Sequence, residues 1–169
     1  KDTLARPWAK PGTENLEHRI GGIEKEDVTG NVNYDPENHH FMVKTRALKI
    51  QNIANELPPT DVFGEKNGDL LILSWGGTQG ACRSAAEALI NDGRKVSHIH
   101  LRWINPLPND LGELLIKFKH VLIPEINLGQ LIKIIRAEYL IDAIGLNKVK
   151  GKPISSAEIQ DNVKKILEK

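Results

Sequence analysis

Residues 70–81 (LLILSWGGTQGA) constrain the fold of this chain more than any other stretch. They begin with a continuous apolar run at residues 70–75 and continue into a glycine-rich turn from Gly76 to Gly80. A short apolar run bounded by turn residues is typical of a strand buried on both faces of a sheet. After the turn, residues at helical spacing predict a helix with one apolar face, made of Cys82, Ala85, Ala86 and Leu89. We therefore expect the first strand and crossover helix of a parallel sheet here.

The alternation of strands and helices continues to the end of the chain. The sequence predicts strands at residues 95–101, 121–124 and 148–149, and helices at residues 110–119, 129–143 and 155–167. A capping box is predicted at the start of two of these helices, by Asp110 with Glu113 and by Ser155 with Glu158. Strands that alternate with helices form parallel sheets with helices on both faces. We therefore expect an α/β domain over residues 62–169.

Residues 1–61 have a different pattern. The first 34 residues are rich in Gly, Pro and charge, so loop and extended structure is expected. Asp35 and Pro36 then predict the start of a helix that ends before Pro58. Few of the first residues could contribute to a core. We therefore expect this lead-in and helix to pack on an upstream part of a longer polypeptide.

Composition narrows the classes of partner. The net charge is +1, which gives no reason to expect a nucleic acid or a bare membrane as partner. No apolar run approaches the roughly 20 residues of a membrane-spanning helix. The single cysteine, Cys82, excludes an internal disulfide and a cysteine-only metal site. An unpaired cysteine fits a reducing compartment, so a cytoplasmic location is expected.

The glycine turn is the first candidate ligand site. A dinucleotide-binding fingerprint needs the spacing G-x-G-x-x-G and an acidic residue at the end of the next strand, where Arg102 stands. A P-loop needs Gly-Lys-Ser/Thr, but Ala81 and Cys82 occupy those positions. We interpret the turn as a tight strand-to-helix connection with Thr78 as N-cap. Phosphate binding at the helix N-terminus is the alternative.

Cysteine and histidine residues fit structural roles. Cys82 lies on the apolar face of its predicted helix and is interpreted as a small buried hydrophobic residue. His39 and His40 lack a second ligand pair at helical spacing, so no metal site is predicted. His98 and His100 alternate along one strand and should face the same side. We expect a polar role at the strand end for them.

Two loop clusters combine polar and charged groups. Residues 17–22 bring an acid, an imidazole and a guanidinium together before two glycines. Residues 124–130 follow a predicted strand, at the carboxyl edge where open α/β sheets bind ligands. Polar residues there either bind ligands or cap helices. From the two clusters we take four candidates for ligand or interface contacts: His18, Arg19, Asn127 and Gln130.

These clusters belong to a longer series of motifs: RPWA at 6–9, PGT at 11–13, LEHRIGG at 16–22, TGN at 29–31, YDPENH at 34–39, WG at 75–76, GA at 80–81, NPLP at 105–108 and PEINLGQL at 124–131. In this order they resemble the alpha subunit of the 2-oxoacid:ferredoxin oxidoreductases, most closely the 2-oxoglutarate branch (2-oxoglutarate synthase). Glycine is usual in that pattern where Val28 stands, and serine is usual at Asn33 and Gly77. These departures affect the substrate assignment more than the family.

The resemblance implies the C-terminal portion of such a subunit. Its fold would be like the transketolase C-terminal domain: α/β, a three-layer α/β/α sandwich with a mostly parallel sheet and one antiparallel strand. In the whole enzyme, thiamine diphosphate attacks the 2-oxoacid, an iron–sulfur cluster passes electrons to ferredoxin, and coenzyme A takes the acyl group. The residues that hold thiamine and substrate are expected upstream in the alpha subunit and on the beta subunit.

We therefore expect this portion to act in assembly, with no catalytic residue, metal or cofactor of its own. Its expected partners are the upstream alpha-subunit domains, the beta subunit and, through the complex, ferredoxin, in an oligomer. One alternative is a nucleotide- or coenzyme A-binding α/β module that uses the turn from Gly76 to Gly80. Another is a structural domain of a related pyruvate or branched-chain 2-oxoacid oxidoreductase.

Overall fold

The computed structural model describes residues 3–18 and 20–168, and the chain divides into two compact units, Lys1–Leu57 and Pro58–Lys169. The first unit contains extended segments and helix α1, Pro36–Gln51, which continues as a 3₁₀ turn at Asn52–Glu56. Asp35 caps α1 as predicted, because its side chain accepts a hydrogen bond from the Glu37 amide at 3.2 Å. That residues 1–61 pack on an upstream part of the polypeptide stays a prediction.

The second unit contains five strands and four helices in its described residues. The strands are β1 (Val62–Phe63), β2 (Gly68–Trp75), β3 (Val96–Leu101), β4 (Phe118–Glu125) and β5 (Ile144–Asn147). The helices are α2 (Gln79–Asn91), α3 (Leu111–Leu115), α4 (Gln130–Tyr139) and α5 (Ser156–Leu167). The strand order in the sheet is β1-β3-β2-β4-β5. All neighbouring pairs are parallel except β1 with β3.

Helices cover both faces of the sheet, because each central strand buries alternate side chains in opposite directions. Leu70 and Ile72 of β2 pack on one face with residues of α2 and α5. Leu71 and Leu73 pack on the other face with residues of α3 and α4. All four leucine and isoleucine side chains are fully buried. This three-layer α/β/α arrangement confirms the predicted fold.

The close packing of α3 and α4 depends on Gly112. A Cβ atom at this position would lie 2.8 Å from the Tyr139 ring, closer than real Cβ contacts come. The ring of Tyr139 therefore lies directly against the backbone of α3.

Three predicted boundaries were wrong. The predicted helix at 129–143 ends at Tyr139, because Leu140 adopts the left-handed conformation (φ 52°), and residues 144–147 pair with β4. The last strand is therefore not at residues 148–149. The predicted helix from Asp110 is short, since residues 118–120 belong to β4. Asp110 does not form the predicted capping box; its carboxylate accepts hydrogen bonds from the Thr60 amide (2.8 Å) and hydroxyl (2.5 Å).

The backbone conformation at Val28 explains why glycine is usual at this position in the family pattern. Its φ is 67°, in the left-handed region that favours glycine, the residue usual at this position. An L-residue there costs roughly 1–2 kcal/mol, and a β-branched side chain makes the conformation less favourable still. The turn at residues 26–30 therefore carries backbone strain.

The predicted capping box of α5 is confirmed and can be tested. The Ser155 hydroxyl accepts a hydrogen bond from the Glu158 amide at 3.2 Å, and the Glu158 carboxylate accepts one from the Ser155 amide at 2.8 Å. We expect Ser155→Ala to lower the free energy of unfolding by about 1 kcal/mol, because one helical amide loses its partner. Urea denaturation measures this change. Ser84→Ala, at an exposed position inside α2, is the control; equal effects of the two substitutions would contradict the prediction.

Candidate functional site

The carboxyl ends of β2 and β4 form the crevice where open α/β sheets usually bind ligands. The chain leaves β2 towards β3 on one side and leaves β4 towards β5 on the other, which makes this the topological switch point. The two strands end side by side at Trp75 and Glu125. The Trp75 indole Nε1 donates a hydrogen bond to Glu125 Oε1 at 3.2 Å. Side chains of the protein itself thus bridge the crevice.

Glu125 is a fully buried carboxylate at the N-terminus of α4. Its Oε1 accepts a hydrogen bond from the Leu131 amide at 2.9 Å, and its Oε2 accepts one from the Ile132 amide at 3.2 Å. Helix N-termini bind anions because their first amides lack partners within the helix. Here the carboxylate of Glu125 takes the position that a bound anion would take.

Asn127 and Gln130, two of the predicted contact residues, lie together at the same helix terminus. Asn127 Oδ1 accepts hydrogen bonds from the amides of Gly129 (2.8 Å) and Gln130 (2.9 Å). Gly129 has a φ of 81°, and a Cβ atom there would lie 3.0 Å from the Asn147 and Ile132 side chains. Asn127 therefore acts as a cap, and together with Glu125 it satisfies the amides of residues 129–132. The Gln130 side chain is exposed at the surface.

His18 lies in the first unit and is exposed. Its Nδ1 is 2.8 Å from the Leu16 carbonyl oxygen, and since a carbonyl only accepts, Nδ1 carries the hydrogen. Arg19, its predicted companion, lies outside the described residues. The structure thus shows a local contact for His18 and tests neither residue as a ligand contact.

A serine joins the two histidines of β3. Ser74 Oγ lies 2.7 Å from His98 Nε2 and 2.8 Å from His100 Nδ1, so the two imidazoles face the same side of the sheet, as predicted. A serine hydroxyl has one hydrogen, so it donates to one ring and accepts from the other. Burial first, and then the neighbouring His100 and Arg83, lower the pKa of His98 to about 4. Burial also lowers the pKa of His100. Both rings are therefore neutral at pH 7.

The surroundings of Cys82 and of the glycine turn indicate structural roles. Burial raises the pKa of the Cys82 thiol to about 11, so it is protonated at neutral pH and behaves as a small hydrophobic residue. Thr78 stands at the N-cap of α2, as predicted, but its hydroxyl donates to the Trp75 carbonyl at 2.8 Å and does not cap the helix. The turn Gly76–Thr78 is one turn of 3₁₀ helix.

No group of three or more His, Cys, Asp or Glu residues in the described part of the chain could hold a metal ion. Within residues 3–18 and 20–168, no helix is both long and apolar enough to cross a membrane. Sequence reasoning missed Ser74, Trp75 and Glu125 as a polar group at the sheet edge. Glu125 directly follows the strand predicted at residues 121–124, which is a usable signal, but its amide partners six and seven residues later match no local capping pattern.

Glu125 can be tested by substitution. We expect Glu125→Ala to lower the free energy of unfolding by about 3 kcal/mol, because it leaves one buried amide and two partly buried donors, one of them the Trp75 indole, without acceptors. Asn127→Ala, at a half-exposed cap on the same loop, should cost only about 1 kcal/mol. Urea denaturation, followed through the unfolding of the second unit, measures the loss of unfolding free energy for both substitutions. Equal losses would show that Glu125 is an ordinary surface cap.

The lowered pKa of His98 predicts that the free energy of unfolding falls as the pH is lowered. Its pKa is about 4 in the folded protein and about 6.5 when unfolded, so the unfolded state binds the proton first as pH falls. The stability contributed by neutral His98 is complete above pH 6.5 and is lost down to pH 4, a change of about 3 kcal/mol. We expect His98→Gln to flatten this part of the profile of unfolding free energy against pH. A profile identical to that of the unmodified protein would contradict the assignment.

The comparisons with known proteins agree with this fold. No protein-family model matches the chain. The 2-oxoglutarate oxidoreductase subunit KorA of Mycobacterium tuberculosis is 42% identical over 160 residues, which are 94% of this chain and 24% of the relative. The 2-oxoacid:ferredoxin oxidoreductase alpha subunit of Saccharolobus solfataricus is 28% identical over 169 residues, 96% of this chain and 26% of the relative. The chain thus spans about a quarter of the length of these curated relatives.

The chain is also similar to solved structures, among them an oxidoreductase and a transketolase. A 2-oxoglutarate:ferredoxin oxidoreductase from Magnetococcus marinus, with 2-oxoglutarate, coenzyme A and succinyl-CoA bound, matches 98% of this chain and 29% of that chain. The TM-score is 0.89 and the identity 33%. A split-gene transketolase matches 66% of this chain and 43% of its own with a TM-score of 0.50 and 19% identity, which concerns the fold alone. The predicted resemblance is confirmed: the chain belongs to the family of 2-oxoacid:ferredoxin oxidoreductase alpha subunits and matches their C-terminal part.

Proposed function

We propose that this chain is the C-terminal part of the alpha subunit of a 2-oxoglutarate:ferredoxin oxidoreductase and serves in assembly. The whole enzyme would convert 2-oxoglutarate and coenzyme A to succinyl-CoA and carbon dioxide while it reduces ferredoxin. The observation that carries the proposal is the match of 98% of the chain, at a TM-score of 0.89, to an enzyme solved with these ligands. The substrate is proposed from that structure and from the 2-oxoglutarate oxidoreductase relative at 42% identity.

The role in assembly is supported by how the second unit uses its switch-point crevice. In a ligand-binding α/β domain, helix amides at this edge bind a phosphate. Here the amides of residues 129–132 already donate to Asn127 and Glu125. A phosphate of thiamine diphosphate or of a nucleotide could bind to these amides only if it displaced the Glu125 carboxylate. Thiamine diphosphate, the iron–sulfur cluster and coenzyme A are therefore proposed to bind elsewhere in the complex.

The first unit supports the same role by its surface. Large apolar side chains are exposed there, among them Trp8 (93%) and Ile23 (102%). Exposed apolar surface of this kind marks contact with another protein part. We propose that residues 1–61 pack on upstream alpha-subunit domains and that the alpha and beta subunits form the oligomer. A cytoplasmic location is proposed from the unpaired thiol of Cys82.

The proposal predicts that activity requires the complete subunits. We expect the full-length alpha subunit, produced with its beta subunit, to reduce a viologen dye when 2-oxoglutarate and coenzyme A are both present. The 169-residue chain alone should give no turnover. Pyruvate and a branched-chain 2-oxoacid are the control substrates. Turnover by the chain alone would contradict the assembly role, and preference for pyruvate would contradict the substrate.

Calorimetry separates the proposal from a nucleotide-binding module. The chain would be titrated with coenzyme A, ADP and NADP. We expect no binding in the micromolar range, because the α4 amides are satisfied within the protein. Tight binding that is lost on Gly80→Asp, a change at an exposed position in the first turn of α2, would favour the module that uses the glycine turn.

A further inference from the structure

We infer that a groove in the first unit receives an apolar segment from the part of the alpha subunit that precedes the matched region in the relatives. The inference rests on the proposed function, since it requires that preceding part to be present.

The groove lies between the N-terminal extended segments and α1 and has a volume of about 1240 Å³. Its lining includes large apolar side chains that are half to fully exposed: Trp8 (93%), Ile20 (85%), Ile23 (102%), Val28 (72%) and Phe41 (50%). Isolated exposed apolar residues are common on protein surfaces, whereas several that line one concave surface indicate an interaction site. These exposed apolar side chains favour an apolar occupant of the groove.

An ion-pair cluster holds one wall of this groove in place. The Glu24 side chain is only 11% exposed, and its carboxylate accepts hydrogen bonds from Arg46 at 3.1 and 3.3 Å and from His39 at 2.7 Å. The bond from Arg46 and, after it, that from the Lys25 amide at 3.0 Å hold the pKa of Glu24 at about 2. Because Glu24 is hydrogen-bonded to α1, the backbone of the adjacent Ile23 is ordered while its side chain is exposed to solvent. A preordered apolar surface loses less entropy when it binds.

The conformation and exposure of Val28 suit a side chain that contacts another part of the enzyme. It combines a left-handed φ of 67° with 72% exposure, so the folded unit gains little from its methyl groups and bears the strain. Glycine would remove the strain. A valine at this place is favourable if its side chain is buried against another part of the enzyme.

The first unit has too small a core to hold this shape by itself. Among its described residues, the buried apolar ones are Met42 and Ala54. Yet the match to the Magnetococcus marinus enzyme covers 98% of the chain at a TM-score of 0.89, so it includes this unit within a chain that is more than three times as long. The conformation therefore fits one that exists when the rest of the enzyme is present.

The preceding part of the same subunit is the occupant that the chain order favours. The relatives place the matched region at their C-terminal part, and the groove belongs to the first unit of that region. A segment on the same polypeptide has a high effective concentration at an adjoining surface. The beta subunit and a second copy of the alpha subunit lack this advantage.

Photo-crosslinking in the assembled enzyme tests the inference. A benzoylphenylalanine would replace Ile23 in the full-length alpha subunit produced with its beta subunit, and mass spectrometry would identify the crosslinked peptide. We expect a peptide from the preceding part of the alpha subunit. The control is the same replacement at Tyr34, which is 89% exposed and does not line the groove. A crosslink to the beta subunit or to a second copy, or no crosslink above the control, would overturn the inference.

Charge substitutions give an independent readout. Ile23→Asp and Trp8→Asp should each lower the fraction of alpha subunit in the complex on size-exclusion chromatography about tenfold, since each places a charge in an apolar contact. Tyr34→Asp should leave it unchanged. Equal effects of all three would overturn the inference. Oxidation of 2-oxoglutarate, measured on the unmodified enzyme, tests the proposed function separately, because the crosslink can be read whichever substrate is used.

Discussion

The buried carboxylate of Glu125 is the interaction on which the carboxyl edge of this sheet depends. It joins the indole at the end of β2 to the first amides of α4, so it links the two central strands to the helix that follows. A buried carboxylate is unfavourable unless hydrogen bonds replace its hydration, and three donors do so here. The same arrangement satisfies the amides that could bind an anion. One carboxylate thus joins β2 to α4 and occupies the first amides of that helix.

The two units are stabilised in different ways. The second unit buries both faces of a parallel sheet under helices, so its fold rests on apolar burial. The first unit has few buried apolar residues among those described and relies on polar contacts, among them the cluster of Glu24 with Arg46 and His39. Such contacts order a surface without burying much of it. This difference fits a second unit that folds around its own core and a first unit that is completed by contact with the rest of an alpha subunit.

Elements with a strong repeating pattern were predictable from the sequence. Helix α2 has the predicted bounds, and the apolar runs of β2 and β3 fall within a few residues of their predicted ends. Short elements were not predictable, because pairing with a neighbour decides them: β1 has only two residues, and residues 144–147 are extended because β4 offers free pairing groups. Asp110 looks like a helix cap by spacing, but Thr60, fifty residues away in the chain, binds its carboxylate.

The sequence by itself determined the fold class, the family and the roles of Cys82 and of the α5 capping box, because each follows from local periodicity or from a motif. Only the tertiary structure decided what the candidate site residues do. Asn127 caps the loop before α4, and the Glu125 carboxylate accepts hydrogen bonds from the first amides of α4. Both roles depend on where β4 places this loop against α4 and β2. No local pattern reveals the role of Glu125 at the end of β4, because its partners lie on β2 and in α4.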